Sequence, residues 1–259
     1  MKKTLIALAV AASAAVSGSA MAWTANGTGG SVDMGGILSP AHKVTPWEVK
    51  VGDAVKGLDA KIEKGQKTVE ISLKSAIPLL GIRTQTSEVF HGQEGIAPQI
   101  SYGDAVNVGA FRMGMAPLTL EVKDSNGVKL GKAESFVRAA AQSSFTFMSM
   151  HNNRSLYASE SGDGFFGGVA TYAAGVVESP LEVAKEVFAE ASEHFNSQGI
   201  SDKITKGKDN FSIKGAAYSA FYASGIPESS KIRITLDEGA CADAPVQWKA
   251  SLPITVSYM

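Results

Sequence analysis

The chain has 259 residues, 44% hydrophobic, 19% charged and 8% aromatic, enough apolar material for a packed core and too much for a disordered chain. Lys and Arg number 24 against 25 Asp and Glu, a net charge of -1, so the basic excess that a nucleic-acid or anionic-membrane binder needs is absent. A single cysteine, Cys241, excludes an intrachain disulfide framework and any CxxC metal or redox site.

Residues 1–22 read as a signal peptide. Lys2 and Lys3 form the positive start, Leu5 to Val16 the apolar run, and Ala20-Met21-Ala22 the small-x-small cleavage signal that ends at Ala22 and makes Trp23 the mature N-terminus. The run is too short to span a membrane, and the short Lys-Lys start reads as bacterial, so the mature chain is expected in the periplasm. Residues 23–38 are Gly-rich, yet Val32 and Met34 alternate and stay in phase with Leu38 across Gly36. Such a segment suits strand addition to a neighbour's groove, with a flexible leader as the alternative.

Period two dominates the rest. Val69, Ile71 and Leu73 alternate with polar residues, as do Leu118, Leu120 and Val122. The run Asp124-Ser125-Asn126-Gly127 predicts a tight hairpin turn with positive φ at both Asn126 and Gly127, before Val128 and Leu130 resume. Residues 139–178, rich in Gly, Ser and aromatics, read as irregular. A helix is expected next: Ser179 caps it, Pro180 is its first residue, Glu182 completes a capping box, and Ala184, Val187, Phe188, Ala191 and Phe195 form one apolar face before Gly199. Ile232, Ile234 and Leu236 give another strand. Val246, Trp248, Ala250, Leu252, Ile254, Val256 and Tyr258 share one parity and predict a long closing strand. The pattern is that of an all-β sandwich or barrel with an inserted helical subregion over about residues 139–199.

Residue types that carry chemistry are scattered. His42, His91, His151 and His194 have no metal-ligand spacing, and no nucleophile elbow, phosphate loop or dinucleotide fingerprint is present, so no catalytic, cofactor or metal site is expected. Within the insertion, Phe145, Phe147, Phe165 and Phe166 read either as sugar-stacking faces or as packing for the helix. The polar run His151, Asn152, Asn153 and Arg154 is harder to place in a core, so Asn152, Asn153 and Arg154 are the candidate receptor contacts.

Several stretches resemble one family. Trp23, Gly30-Ser31-Val32-Asp33-Met34-Gly35-Gly36, Trp47-Glu48-Val49-Lys50-Val51-Gly52, Pro98-Gln99-Ile100 and the ending Trp248 through Ile254-Thr255-Val256-Ser257-Tyr258 are similar to the K88 (F4)/CS31A family of fimbrial major subunits, nearest on the CS31A side. The resemblance implies a chaperone–usher subunit with an immunoglobulin-like β-sandwich that lacks its last strand (residues 39–259). A periplasmic chaperone would supply that strand by pairing with Ile254, Val256 and Tyr258. In the fibre, residues 23–38 of another copy would replace it, with Val32, Met34 and Leu38 filling the groove. The implied partners are copies of itself, the chaperone, an outer-membrane usher and a host-cell glycan receptor. The implied place is a surface fimbrium reached through the periplasm. The single cysteine departs from pilins with a disulfide and fits the K88 branch. Rival readings are a closed outer-membrane β-barrel, whose last strand also ends in an aromatic, and a periplasmic carbohydrate-active enzyme.

Overall fold

The computed structural model describes residues 34–36, 44–63, 65–201, 203–228, 230–237 and 245–259, so the expected signal peptide and Cys241 lie outside the described residues. The chain divides into a unit Met1–Lys43 and a unit Val44–Met259, and the architecture below is that of the second. Its strands are β1 (Trp47–Val51), β2 (Thr68–Ser72), β3 (Ile77–Thr84), β4 (Phe90–His91), β5 (Pro98–Ser101), β6 (Met115–Asp124), β7 (Lys129–Phe147), β8 (Met150–Leu156), β9 (Thr205–Gly207), β10 (Ala217–Ile226), β11 (Lys231–Leu236), β12 (Trp248–Ala250) and β13 (Thr255–Tyr258). One α-helix, α1 (Pro180–Val187), stands among them. The all-β class read from the alternation is the class observed.

The strands connect in the order β1-β3-β10-β7-β11-β2, with β6 and β8 also on β7, β12 on β6 and β9 on β8. Every pairing is antiparallel except β8 with β9. β5 and β13 form a separate two-stranded ladder. The 19 residues of β7 hold this together. Its first half lies between β6 and β11, and its second half between β10 and β8.

One apolar cluster joins residues from most strands, among them Leu80 and Ile82 of β3, Ile100 of β5, Leu118 of β6, Tyr222 of β10 and Ile232 of β11. A second lies on the other face of β7 and β10. There Ala140, Phe221 and Ala223 meet Val183, Ala184, Val187, Phe188 and Ala191. Residues of successive parity on one strand therefore feed two different cores. A transmembrane barrel needs a continuous apolar face toward lipid, and a sheet buried on both faces does not offer one.

Local structure departs from expectation in four places. At the β6–β7 turn only Gly127 has positive φ (86°) and Asn126 does not. The Asp124 carboxylate instead accepts the amides of Asn126 and Val128 at 2.9 and 2.8 Å, so an Asx arrangement closes the turn. The helix stops at Val187, because Phe188 adopts φ -162° and a 3-10 turn over Ala189–Ser192 follows. Ser179 makes no side-chain cap, and Glu182 bonds Lys185 rather than completing a capping box. The expected apolar face is still the buried one. Residues 139–147 and 150–156 are strand, the end of β7 and all of β8, rather than irregular. The closing strand is two short ones, interrupted around Pro253, which has no amide to donate to a ladder.

The helical segment sits close on β3. A Cβ built on Gly81 would lie 3.2 Å from the Ala191 Cβ and 3.3 Å from the Phe188 ring. Gly81→Val is therefore expected to lower stability by about 1–3 kcal/mol through overpacking, read as a lower midpoint in urea denaturation. An unchanged midpoint would mean that this contact is loose.

Candidate functional site

The C-terminal run shows an unusual pattern of exposure. From Trp248 to Tyr258, every even-numbered residue is half-buried and every odd-numbered one exposed. Alternation is complete, yet none of the apolar residues reaches the full burial of core residues such as Leu80 or Tyr222. Leu252, Ile254, Val256 and Tyr258 rest on the main core without being enclosed by it. Among the described residues β13 pairs with β5 alone, from Thr255 opposite Ser101 to Tyr258 opposite Pro98. The ladder continues one step further, as Ala97 and Met259 exchange amide–carbonyl bonds of 3.0 and 3.1 Å. A strand with one such edge is a template for another strand.

β1 forms a second rim nearby. Trp47 is buried and donates its indole N–H to the Ile96 carbonyl at 2.6 Å, beside the Ala97–Met259 pair. Thr45, two residues earlier, hydrogen-bonds the Tyr258 hydroxyl, whose pKa is nevertheless raised because burial disfavours the phenolate. Val49 and Val51 share parity with Trp47 and stand opposite the fully buried Ile82 and Leu80, yet they are 41% and 53% exposed. The apolar face of β1 is thus open where that of its neighbour β3 is closed. β1 pairs with β3 alone among the described residues.

Of the proposed donor residues, Val32 and Leu38 lie outside the described residues, as do Ala22 and Trp23. Met34 is described and is 93% exposed, and a Cβ on Gly35 or Gly36 would meet nothing within 4 Å.

The stretch 159–168 fastens β5 from the side. The Gln99 amide group donates to the carbonyls of Ala97, Pro98 and Asp163, and its oxygen accepts the Gly162 amide at 3.0 Å. Phe165 donates its own amide to the Pro98 carbonyl from a left-handed backbone (φ 64°) while its ring is fully buried against Trp47, Phe211 and Tyr222. Left-handed backbone costs a non-glycine residue on the order of 1 kcal/mol, offset here by the aromatic packing. The sequence marks Phe165 as an aromatic to be packed or exposed but gives no sign of its left-handed backbone or of its bond to β5.

The candidate receptor residues fall on β8 and divide. Asn152 is half-buried, paired with Phe145 across the ladder. Asn153 is buried and accepts the Gln142 amide at 2.6 Å. Arg154 lies over the Phe145 ring, donates to the Lys208 carbonyl at 3.2 Å and stands 3.8 Å from Asp209. Asn153 and Arg154 are thus engaged inside the fold. Phe145 and Phe165 are core residues, and Phe147 and Phe166 pack half-buried against the same core, so all four are packing residues, though of the main core and not of the cluster that holds the helix.

Asp209 is the unusual ionisable group of this region. Burial pushes its carboxyl up to about 6, against the opposing pull of Arg154, the Phe211 amide and the Ser143 hydroxyl. A raised carboxyl favours the native state while protonated. That contribution is full below the ordinary value of 3.8 and is lost as pH rises through about 6. Asp209→Asn should therefore gain stability relative to the parent chain as pH rises from 4 to 7, by up to about 3 kcal/mol. Urea denaturation of both chains across that range checks it, and a constant difference would refute it.

Comparison with known proteins shows the family. The family model described as "Fimbrial, major and minor subunit" matches residues 1–259. K88 fimbrial proteins AB and AD of Escherichia coli are each 30% identical over the full length of both chains. The F41 fimbrial protein of Escherichia coli is 46% identical over 80 residues, 30% of this chain and 27% of that one. The chain belongs to the K88 family of fimbrial subunits.

Proposed function

We propose that this fimbrial subunit joins its neighbours by strand exchange. The face bounded by β1 and β13 accepts residues 23–38 of another copy, and before assembly a periplasmic chaperone occupies it, handing the subunit to an outer-membrane usher. The observation that carries this reading is the row Leu252, Ile254, Val256 and Tyr258, apolar at every second position and enclosed at none, together with the exposed Val49 and Val51 of β1. The fold in this reading is an immunoglobulin-like sandwich short of one strand. Completing it removes apolar surface from water at roughly 25 cal/mol per Å², a driving force that needs no catalysis. Met34, already exposed with glycines beside it, is a side chain of the kind the face would take.

Replacing Val32 and Met34 together with Asp places unpaired charge in that face, at a cost of several kcal/mol per site. Fibres of this variant should be absent or short in electron micrographs, while the subunit still co-purifies with its chaperone. Fibres of normal length would reject the assignment. Deleting the last six residues should abolish periplasmic accumulation, and unchanged accumulation would mean that β13 is not the chaperone's handle.

Attachment to a host-cell glycan is assigned to the inserted region. In this reading the contact on β8 is the half-buried Asn152, supported by its having, among the described residues, no buried partner role of the kind Asn153 and Arg154 have, with the exposed Met148 and Met150 at the adjoining turn. Asn152→Ala should leave fimbriation intact and reduce adherence to epithelial cells. Full adherence would move the site elsewhere.

A further inference from the structure

β1 is gripped on the face opposite its open one. Its outward side chains, Glu48 and Lys50, both end on the segment that follows α1. Lys50 bonds Glu190 at 2.7 Å, and Glu48 takes the Arg83 Nε–H at 2.5 Å. Arg83, on the paired strand β3, also donates to the Glu190 carbonyl at 2.8 Å and to the Glu193 carboxylate at 2.9 Å. His194 closes the end of the set, its Nδ1 2.6 Å from the Thr84 carbonyl and 3.6 Å from Glu48. The break at Phe188 brings residues 189–194 across β1 and β3, and Gly81 admits Phe188 and Ala191 onto the strand. Between strap and strands lies a cleft of about 260 Å³, lined by Glu48, Lys50, Arg83 and Phe188 among others.

From this arrangement we infer that residues 188–194 are a clamp that positions the rim of the strand-accepting face. An edge strand of five residues has ladder bonds on one side only, so its position is weakly fixed by the sheet. Here its even-numbered residues are tied to the strap while its odd-numbered residues, Val49 and Val51, face the incoming strand. Glu48, Lys50, Arg83 and Glu190 are positioning residues for strand exchange. They do not touch the donor, and they hold β1 where the donor's apolar side chains find it. By reciprocity, a donor seated against Val49 and Val51 also steadies the strap, which links the joint between subunits to the inserted region. The inference rests on the strand-exchange reading above.

The test uses fimbriae isolated from bacteria that express the full chain with Lys50→Glu, Glu190→Lys or both. Each single reversal puts like charges together. It should lower the temperature at which fibres release monomer in detergent. It should also speed hydrogen exchange in β1 and in residues 23–38 about fivefold, leaving β6 and the first half of β7 unchanged. The double reversal restores the pair and should restore both readouts. If the single variants do not assemble, the parent fibre decides: raising salt from about 0.05 to 1 M should speed exchange in β1 and residues 23–38 and not in β6. Exchange in β1 that ignores charge and salt, or that rises equally in β6, overturns the clamp. Residues 23–38 exchanging as a free peptide in parent fibres overturns strand exchange itself.

Discussion

The constraint on which the rest depends is that β7 is paired on at least one edge along almost its whole length and on both edges over about half of it, and that its neighbours change halfway. Lys129 to Arg138 belongs with β6 and β11, and Arg138 to Phe147 with β10 and β8. The position of every other strand of that sheet is reckoned from it. β1 is reached through β10 and β3, β2 through β11, and β12 through β6. A strand so enclosed must satisfy its own polar side chains internally. Ser143 and Ser144, both fully buried, do so through Asp209 and the Asn196 carbonyl, and the equally buried Gln142 donates its amide to Asn153 while its Oε1 has no partner among the described residues.

The same demand shapes the main core. Tyr102, Tyr222 and Ser224 exchange hydroxyl hydrogen bonds of 2.7–2.8 Å at full burial, and Tyr222 also donates to the Gly168 carbonyl. Such a network adds little net stability per bond but penalises any register that leaves a hydroxyl alone. It ties β10 to the stretches after β5 and before α1. The elements that present the open face are therefore fixed from inside the molecule as well as by their ladders.

What was legible in the sequence followed from one-sided burial. β2, β6, β11 and the β12–β13 run each have one face toward apolar neighbours and one toward water, so period two was plain. The same rule hid residues 139–156. With Ala139 and Ala141 facing one core and Ala140 another, there is no polar face to alternate with, and the run looked irregular. The polar residues Asn153 and Arg154 looked superficial because their partners, Gln142 and the Asp209 region, are remote in sequence or themselves unexpected in a core. The helix was read too long because periodicity registers which side chains are apolar. It does not register that Phe188 leaves helical φ and ψ while its ring stays on the same face.

The pairing of β13 with β5 has a consequence in time. Thr255 and Ser101 are about 150 residues apart, and most of the sheet lies between them in the chain. Loop closure over that distance is slow relative to formation of the β6–β7 and β7–β8 hairpins, whose partners are adjacent. During synthesis β5 emerges long before the strand it will bond, so Ile100 and its neighbours wait with an unmatched edge. Connectivity therefore favours the hairpins around β7 first, with the β10–β3, β11–β2 and β5–β13 ladders, each closing a comparable span, after them. The face through which subunits would join is in this way among the regions that mature late.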